Sequence, residues 1–167
     1  NFDARHLAVL LDAGLPLVAN QVQYSLLDRR PENGMVALAT QRGLQLTCFG
    51  TVAGGWLSDR YLGAPEPAPT DLRKATVSLR MYKSSLDAWG TWDLFQELLR
   101  TLRAVGDELG ASVAAVAMAW VLDRLDRTCG GSVILGVRDT KHIGDAVAAR
   151  DLALEDFHRA AIQAVLD

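Results

Sequence analysis

Three features of the sequence predict an α/β fold built on a parallel sheet. Short apolar or β-branched runs at residues 17–26, 44–49 and 132–137 are separated by amphipathic segments of helical period. Such alternation makes βα units, in which a crossover helix returns the chain so that the next strand runs parallel to the last. The chain has 167 residues, half of them apolar, which supplies one domain with a sizeable buried core.

Each element has a local reason. Asp3 can cap a first helix whose Leu7, Leu10 and Leu11 repeat at helical spacing, and Gly14 closes it. The run 17–26 reads as a strand, an unusual one, because Asn20, Gln21, Gln23 and Tyr24 put polar groups on both of its faces. A helix after Pro31 carries Met35, Val36, Leu38 and Ala39 and ends at Gly43. The strand 44–49 then runs straight into Gly50-Thr51-Val52-Ala53-Gly54-Gly55.

Residues 56–62 read as one short helix, and Pro65, Pro67 and Pro69 punctuate a loop. Residues 71–90 show no clean period, so Tyr82-Lys83 is expected as an exposed loop pair. Thr91 caps the strongest helix, with Phe95, Leu98, Leu99, Leu102, Val105 and Leu109 on one stripe and Gly110 after it. Ser112 opens a helix through Val116, Trp120 and Val121. The strand 132–137 leads to a helix from about Thr140, and residues 155–166 form a last amphipathic helix on Phe157, Ala161 and Val165. Three strands cannot complete a sheet covered by this many helices. Either something else finishes the sheet or the chain is part of a larger fold, since a full (β/α)8 barrel needs roughly 200 residues or more.

Composition excludes several function classes. A net charge of −3 and a pI near 5.6 argue against sequence-independent nucleic-acid binding, which needs a clustered basic face. Apolar runs such as 113–122 fall far short of the ~20 residues of a membrane span. Cys48 and Cys129 form no Cys-x-x-Cys pair, which suits unpaired buried thiols in a reducing compartment, the cytoplasm or an organelle stroma. His6 and His158 have no ligand partner one turn on, so they read as surface residues and no metal site is expected. Tyr24 is the only phenol expected near a strand end.

Three segments carry a family likeness: Asn20-Gln21-Val22-Gln23-Tyr24-Ser25-Leu26-Leu27, Gly50-Thr51-Val52-Ala53-Gly54-Gly55-Trp56-Leu57-Ser58 and Val133-Ile134-Leu135-Gly136-Val137-Arg138. In that order they resemble the sixth, seventh and eighth strand regions of the aldo-keto reductases, and Asn1-Phe2 resembles the end of the fifth. Asp87-Ala88-Trp89-Gly90 and Leu94-Phe95-Gln96-Glu97-Leu98-Leu99 are similar to a branch found in plants, fungi and bacteria. The resemblance implies the C-terminal half of a (β/α)8 TIM barrel, with residues 1–167 as one partial barrel domain. It also implies that the catalytic Asp, Tyr, Lys and His lie in the first half, so no catalytic residue is expected in this chain.

What the resemblance assigns here is an NADP(H) site at the strand ends. Asn1 and Gln21 match the amides that hold the nicotinamide carboxamide, a role suited to a group that both donates and accepts. Phe49 matches the aromatic that stacks on the nicotinamide ring, where most relatives carry Tyr. Gly50, Val52 and Gly54 match the loop that passes the pyrophosphate, where missing side chains let backbone N–H groups approach an anion. Arg138 matches the contact to the adenosine 2′-phosphate, which favours NADP over NAD. Lys141 and His142 either assist a phosphate or face solvent from a first helical turn, and Ala146 stands where many members carry Asn against the adenine. Without the resemblance, Gln21 reads as a buried amide satisfied by backbone, Phe49 as core and Arg138 as a solvated surface residue.

Two functions compete. One is part of an NADP-dependent carbonyl reductase, inactive until a missing N-terminal half-barrel or a protein partner supplies the acid, and acting on a small-molecule carbonyl. The other is a non-catalytic structural or regulatory subunit. Residues upstream of Asn1 would decide between them. The chain alone is expected to expose an apolar strand edge and an unfilled interior.

Overall fold

In the computed structural model, which describes residues 1–137 and 140–167, three parallel strands lie side by side in chain order. They are β1 (Ala19–Gln23), β2 (Gln45–Phe49) and β3 (Gly131–Val133). The register sets Gln21 opposite Thr47 and Thr47 opposite Ser132, with Gln23 opposite Phe49. Helix α1 (Ala4–Asp12) precedes the sheet and α2 (Met35–Arg42) crosses from β1 to β2. Between β2 and β3 run α3 (Pro69–Lys74), α4 (Val77–Trp89), α5 (Trp92–Leu109) and α6 (Val113–Asp126). Helices α7 (Ile143–Asp151) and α8 (Asp156–Leu166) follow β3.

The caps read from the sequence hold. The Asp3 carboxylate accepts the His6 N–H at 2.8 Å, and the Thr91 and Ser112 hydroxyls accept from Leu94 and Ala115 at 3.2 and 3.1 Å. Helix α5 buries Phe95, Leu98, Leu99, Leu102 and Val105 along its expected stripe. Each such side chain removed from water contributes about 1.5–3 kcal/mol. Helices α2 and α6 pack on the sheet, with α5 against α6, and on the face they cover Asn20, Val22, Leu46 and Cys48 are buried. The opposite face is open, with Gln21, Gln45 and Ser132 exposed and Thr47 and Phe49 half-buried.

Several expectations need correction. The first strand is five residues, not 17–26, because Ser25 and Asp28 exchange backbone hydrogen bonds at 3.2 and 3.1 Å and turn the chain. The third spans three residues; beyond it Ile134 donates to Cys48, but Ile134, Leu135 and Val137 are exposed. Residues 56–62 form no α-helix; a 3-10 turn at Asp59–Tyr61 takes that place. The open face carries polar side chains and the half-buried Phe49, and exposed apolar groups lie at the strand ends, at Leu15 and Val18 before β1 and at Ile134, Leu135 and Val137 after β3.

The largest correction concerns residues 71–90, which hold α3 and α4 rather than a loop. The inward stripe of α4 is Tyr82, Lys83 and Leu86, with Leu79 packed against the core. Two of these count as polar in a periodicity reading, which hid the helix. Tyr82 and Lys83 are only 7% and 6% exposed. In α8 the inward face is His158, Ile162 and Leu166, while Phe157 is 59% exposed. His158 is not a surface residue: its Nδ1 accepts the Glu155 N–H at 3.1 Å and its Nε2 lies 3.0 Å from Glu108, so the buried ring is satisfied on both sides.

Candidate functional site at the strand ends

The C-terminal ends of β1 and β2 meet on the open face. Gln21 and Phe49 point to that same face, because each lies two residues from a partner of the other in the register. Along the strand this separates them by about 7 Å. A carboxamide and an aromatic ring therefore share one wall, with Thr47 between them and Ser132 beyond.

Asn20 points the other way and does something the sequence did not disclose. Its Nδ2 donates to the Phe2 carbonyl at 2.9 Å and its Oδ1 accepts the Phe2 N–H at 3.3 Å. The side-chain amide thus imitates a neighbouring strand, tying the N-terminal segment to β1 and setting exposed Asn1 beside it. A buried Asn next to Val22 in a strand was the available signal.

After Phe49 the chain turns sharply. Gly50 and Gly54 adopt φ of 71° and 65°, left-handed values that side chains resist. Gly50 C=O accepts the Ala53 N–H at 2.8 Å, and Val52 C=O accepts from Gly55 and Leu57 at 2.9 and 3.2 Å. Among the described residues, the N–H groups of Gly50, Thr51, Val52 and Gly54 donate to no backbone oxygen or side chain. The Val52 side chain packs against the Ala115, Met118 and Ala149 cluster, anchoring the loop on α6 and α7.

Tyr82 lies across this loop. A Cβ at Gly50 would overlap the Tyr82 hydroxyl and approach Cε1 and Cζ to 2.8 Å; one at Gly54 would come within 2.6 Å of Cδ2. The phenol ring so fills the space that two missing side chains leave. Tyr24 is therefore not the only phenol near a strand end. Lys83, next along α4, turns to Glu66 at 2.7 Å and to Asp87, and sits over the Trp92 ring. Burial works against its charge, but the hydrogen bonds to Asp87 and Glu66 outweigh it and raise its pKa.

Tyr24 itself is sealed. Its hydroxyl donates to Glu32 at 2.7 Å, Arg124 reaches the same carboxylate at 2.9 Å, and burial followed by the Glu32 hydrogen bond pushes its pKa well above the usual phenol value. His142 is exposed and pairs with Asp145 at 3.7 Å within its own turn. Arg138 lies outside the described residues. Among the described residues no group of three or more His, Cys, Asp or Glu side chains gathers as a metal site, and no single helix is long and apolar enough to cross a membrane.

The model of the Aldo/keto reductase family matches residues 1–167. The chain belongs to the aldo/keto reductase family. Flagellar radial spoke protein 5 of Chlamydomonas reinhardtii is 31% identical over 126 residues, covering 74% of this chain and 23% of that protein. The uncharacterized oxidoreductase YrpG of Bacillus subtilis (strain 168) is 29% identical over 139 residues, 83% of this chain and 37% of that one. The glycerol dehydrogenase AKR11B4 from Gluconobacter oxydans shares the fold, with a TM-score of 0.76 at 19% identity over 99% of this chain and 47% of its own. This aldo/keto reductase chain thus spans less than half the length of each.

The structure brings Gln21, Phe49, Gly50 and Gly54 of this aldo/keto reductase chain together at one strand-end site, and seats Asn1 beside β1. Val52 contributes its backbone there, its side chain being spent on packing. Asn20 and Tyr82 are the members that the sequence reading did not assign.

Proposed function

We propose that this chain is the C-terminal half of an aldo-keto reductase barrel and supplies the cofactor side of an NADP-dependent carbonyl reductase. The observation that carries the proposal is the open strand-end wall, where the Gln21 amide and the Phe49 ring lead directly to the N–H groups of Gly50, Thr51 and Val52, which are unpaired among the described residues. That sequence of groups fits a dinucleotide from its amide-bearing ring to its pyrophosphate. Gln21 and Asn1 would hold the carboxamide, Phe49 would set the ring's face, and the loop N–H groups would meet the anion. Arg138 would read the 2′-phosphate, with His142 as a further phosphate contact or a solvent-facing residue.

NADPH, when bound, supplies the hydride for a carbonyl carbon. Neither Tyr24 nor Lys83 supplies the proton for the resulting alkoxide, and the Tyr82 hydroxyl lies against the Gly50–Gly54 loop, where the pyrophosphate and not the carbonyl would sit. Tyr24 keeps its proton against Glu32, and Lys83 is turned to Glu66 and Asp87, away from any phenol it could activate. Protonation therefore falls to residues beyond this chain, in the other half of the barrel. The free thiols of Cys48 and Cys129 suit a reducing compartment, the cytoplasm or an organelle stroma. The test is NADPH fluorescence titration of this chain, then an assay with a chain carrying the first half of such a barrel. Binding without turnover, followed by turnover on mixing, is expected; carbonyl reduction by these 167 residues alone would refute the division of labour.

A second reading rests on the similarity to a flagellar radial spoke protein. In it the chain is a structural subunit, its apolar flanks at Val18 and Leu135 meeting a protein neighbour. Stable assembly with no NADPH affinity would favour it.

A further inference from the structure

Tyr82 is the residue at this site whose position the cofactor assignment leaves unexplained. It comes from α4, well after the loop it touches in the chain, and is 7% exposed. Its ring lies between Gly50 and Gly54, and both positions have a left-handed φ as well as no room for a Cβ. The loop is therefore shaped around this ring. Yet among the described residues nothing pairs with the hydroxyl. Leaving a buried hydroxyl without a partner is costly, and most find one. The oxygen is not fully sealed either: Asp123 Oδ2 is the one completely enclosed side-chain oxygen lacking a partner among the described residues. Among the described residues the Tyr82 hydroxyl is thus nearly buried, unpaired and reachable, and set against Gly50, whose N–H and those of Thr51 and Val52 also lack a partner there.

We infer that Tyr82 is a ligand-binding residue, its hydroxyl donating a hydrogen bond to a phosphate oxygen held by the N–H groups of Gly50, Thr51 and Val52. Four donors then converge on one anion, three fixed by the backbone turn and one by the helix that packs on it. Burial, and next the charge of Asp28, raise the phenol's pKa, so it remains a donor through the neutral range. Lys83, pinned between Glu66, Asp87 and Trp92, holds this turn of α4 in place. The inference rests on the proposed dinucleotide site and adds one residue to it, with the pyrophosphate as its ligand class.

The test compares the full chain and its Tyr82→Phe variant by titration with NADPH and with inorganic pyrophosphate, alongside thermal unfolding without ligand. Phenylalanine keeps the ring that fills the loop and removes only the unpaired hydroxyl. Both ligands should bind the variant roughly ten- to a hundredfold more weakly, the range for a charge-assisted hydrogen bond, while the ligand-free melting temperature holds or rises. Wild-type binding matched by the variant would overturn the Tyr82 assignment and leave the dinucleotide site standing. A fall in melting temperature parallel to the loss of affinity would make Tyr82 a structural residue only, which also overturns it. If the wild-type chain binds neither probe, the dinucleotide site fails and Tyr82 with it.

Discussion

On the helix-covered face of the sheet, Val22, Leu46 and Cys48 are sealed beneath α2 and α6; on the open face Gln21, Thr47 and Ser132 stand in one polar row. The same three strands thus carry two kinds of residue in alternation. One face is explained by packing alone, since removing its side chains from water is the source of its stability. The other gains no comparable burial, so its amide, hydroxyl and aromatic groups ask for a different explanation. A ligand at the strand ends gives one.

The comparison breaks if the two faces respond alike to mutation. Leu46→Ala, a truncation at a fully buried position, should lower unfolding free energy by about 2–5 kcal/mol in urea titration. Its effect on NADPH affinity should be confined to the loss of folded protein. Arg138→Ala should weaken NADPH far more than NADH, by roughly ten- to a hundredfold. Equal losses for the two cofactors would remove Arg138 as the 2′-phosphate contact.

How far the sequence disclosed this architecture depended on whether polarity and burial coincided. Helix α5 was readable because Phe95, Leu98, Leu99, Leu102 and Val105 are both apolar and buried. Helix α4 was not, because Tyr82 and Lys83 are buried through a glycine loop and an ion-pair network that no periodicity reveals. His158 went wrong for the same reason: Glu108 and Glu155 satisfy it from positions remote in the pattern or hidden in a cap. Gln21, Phe49 and Gly50 are singled out by their family likeness, and the structure brings them to one strand end. The strand-like pairing of Asn20 with Phe2 required the fold, since the partners are 18 residues apart.

Smaller effects sharpen the contrast. Gln21→Ala should weaken NADPH up to about tenfold, the worth of an uncharged hydrogen bond or two, with stability unchanged within about 0.5 kcal/mol. On the covered face, Cys48 offers a pH signature instead. Burial, and then the neighbouring Cys129, push its thiol from 9.0 up to about 12. A folded-state pKa raised in this way gives stability that is complete below pH 9 and is lost as pH rises toward 12, because only the unfolded chain ionises in that window. Urea midpoints should fall between pH 8 and pH 11, and Cys48→Ala should flatten that slope while lowering stability at neutral pH.

The direct measurement is a backbone amide chemical-shift titration of the full chain with NADPH. Signals of Gln21, Phe49, Gly50, Thr51 and Val52 should move together along one saturating curve, while those of Leu99 and Leu102 in α5 and Val121 in α6 stay in place. Shifts concentrated on the helices, or none at saturating NADPH, would contradict a dinucleotide site at the strand ends.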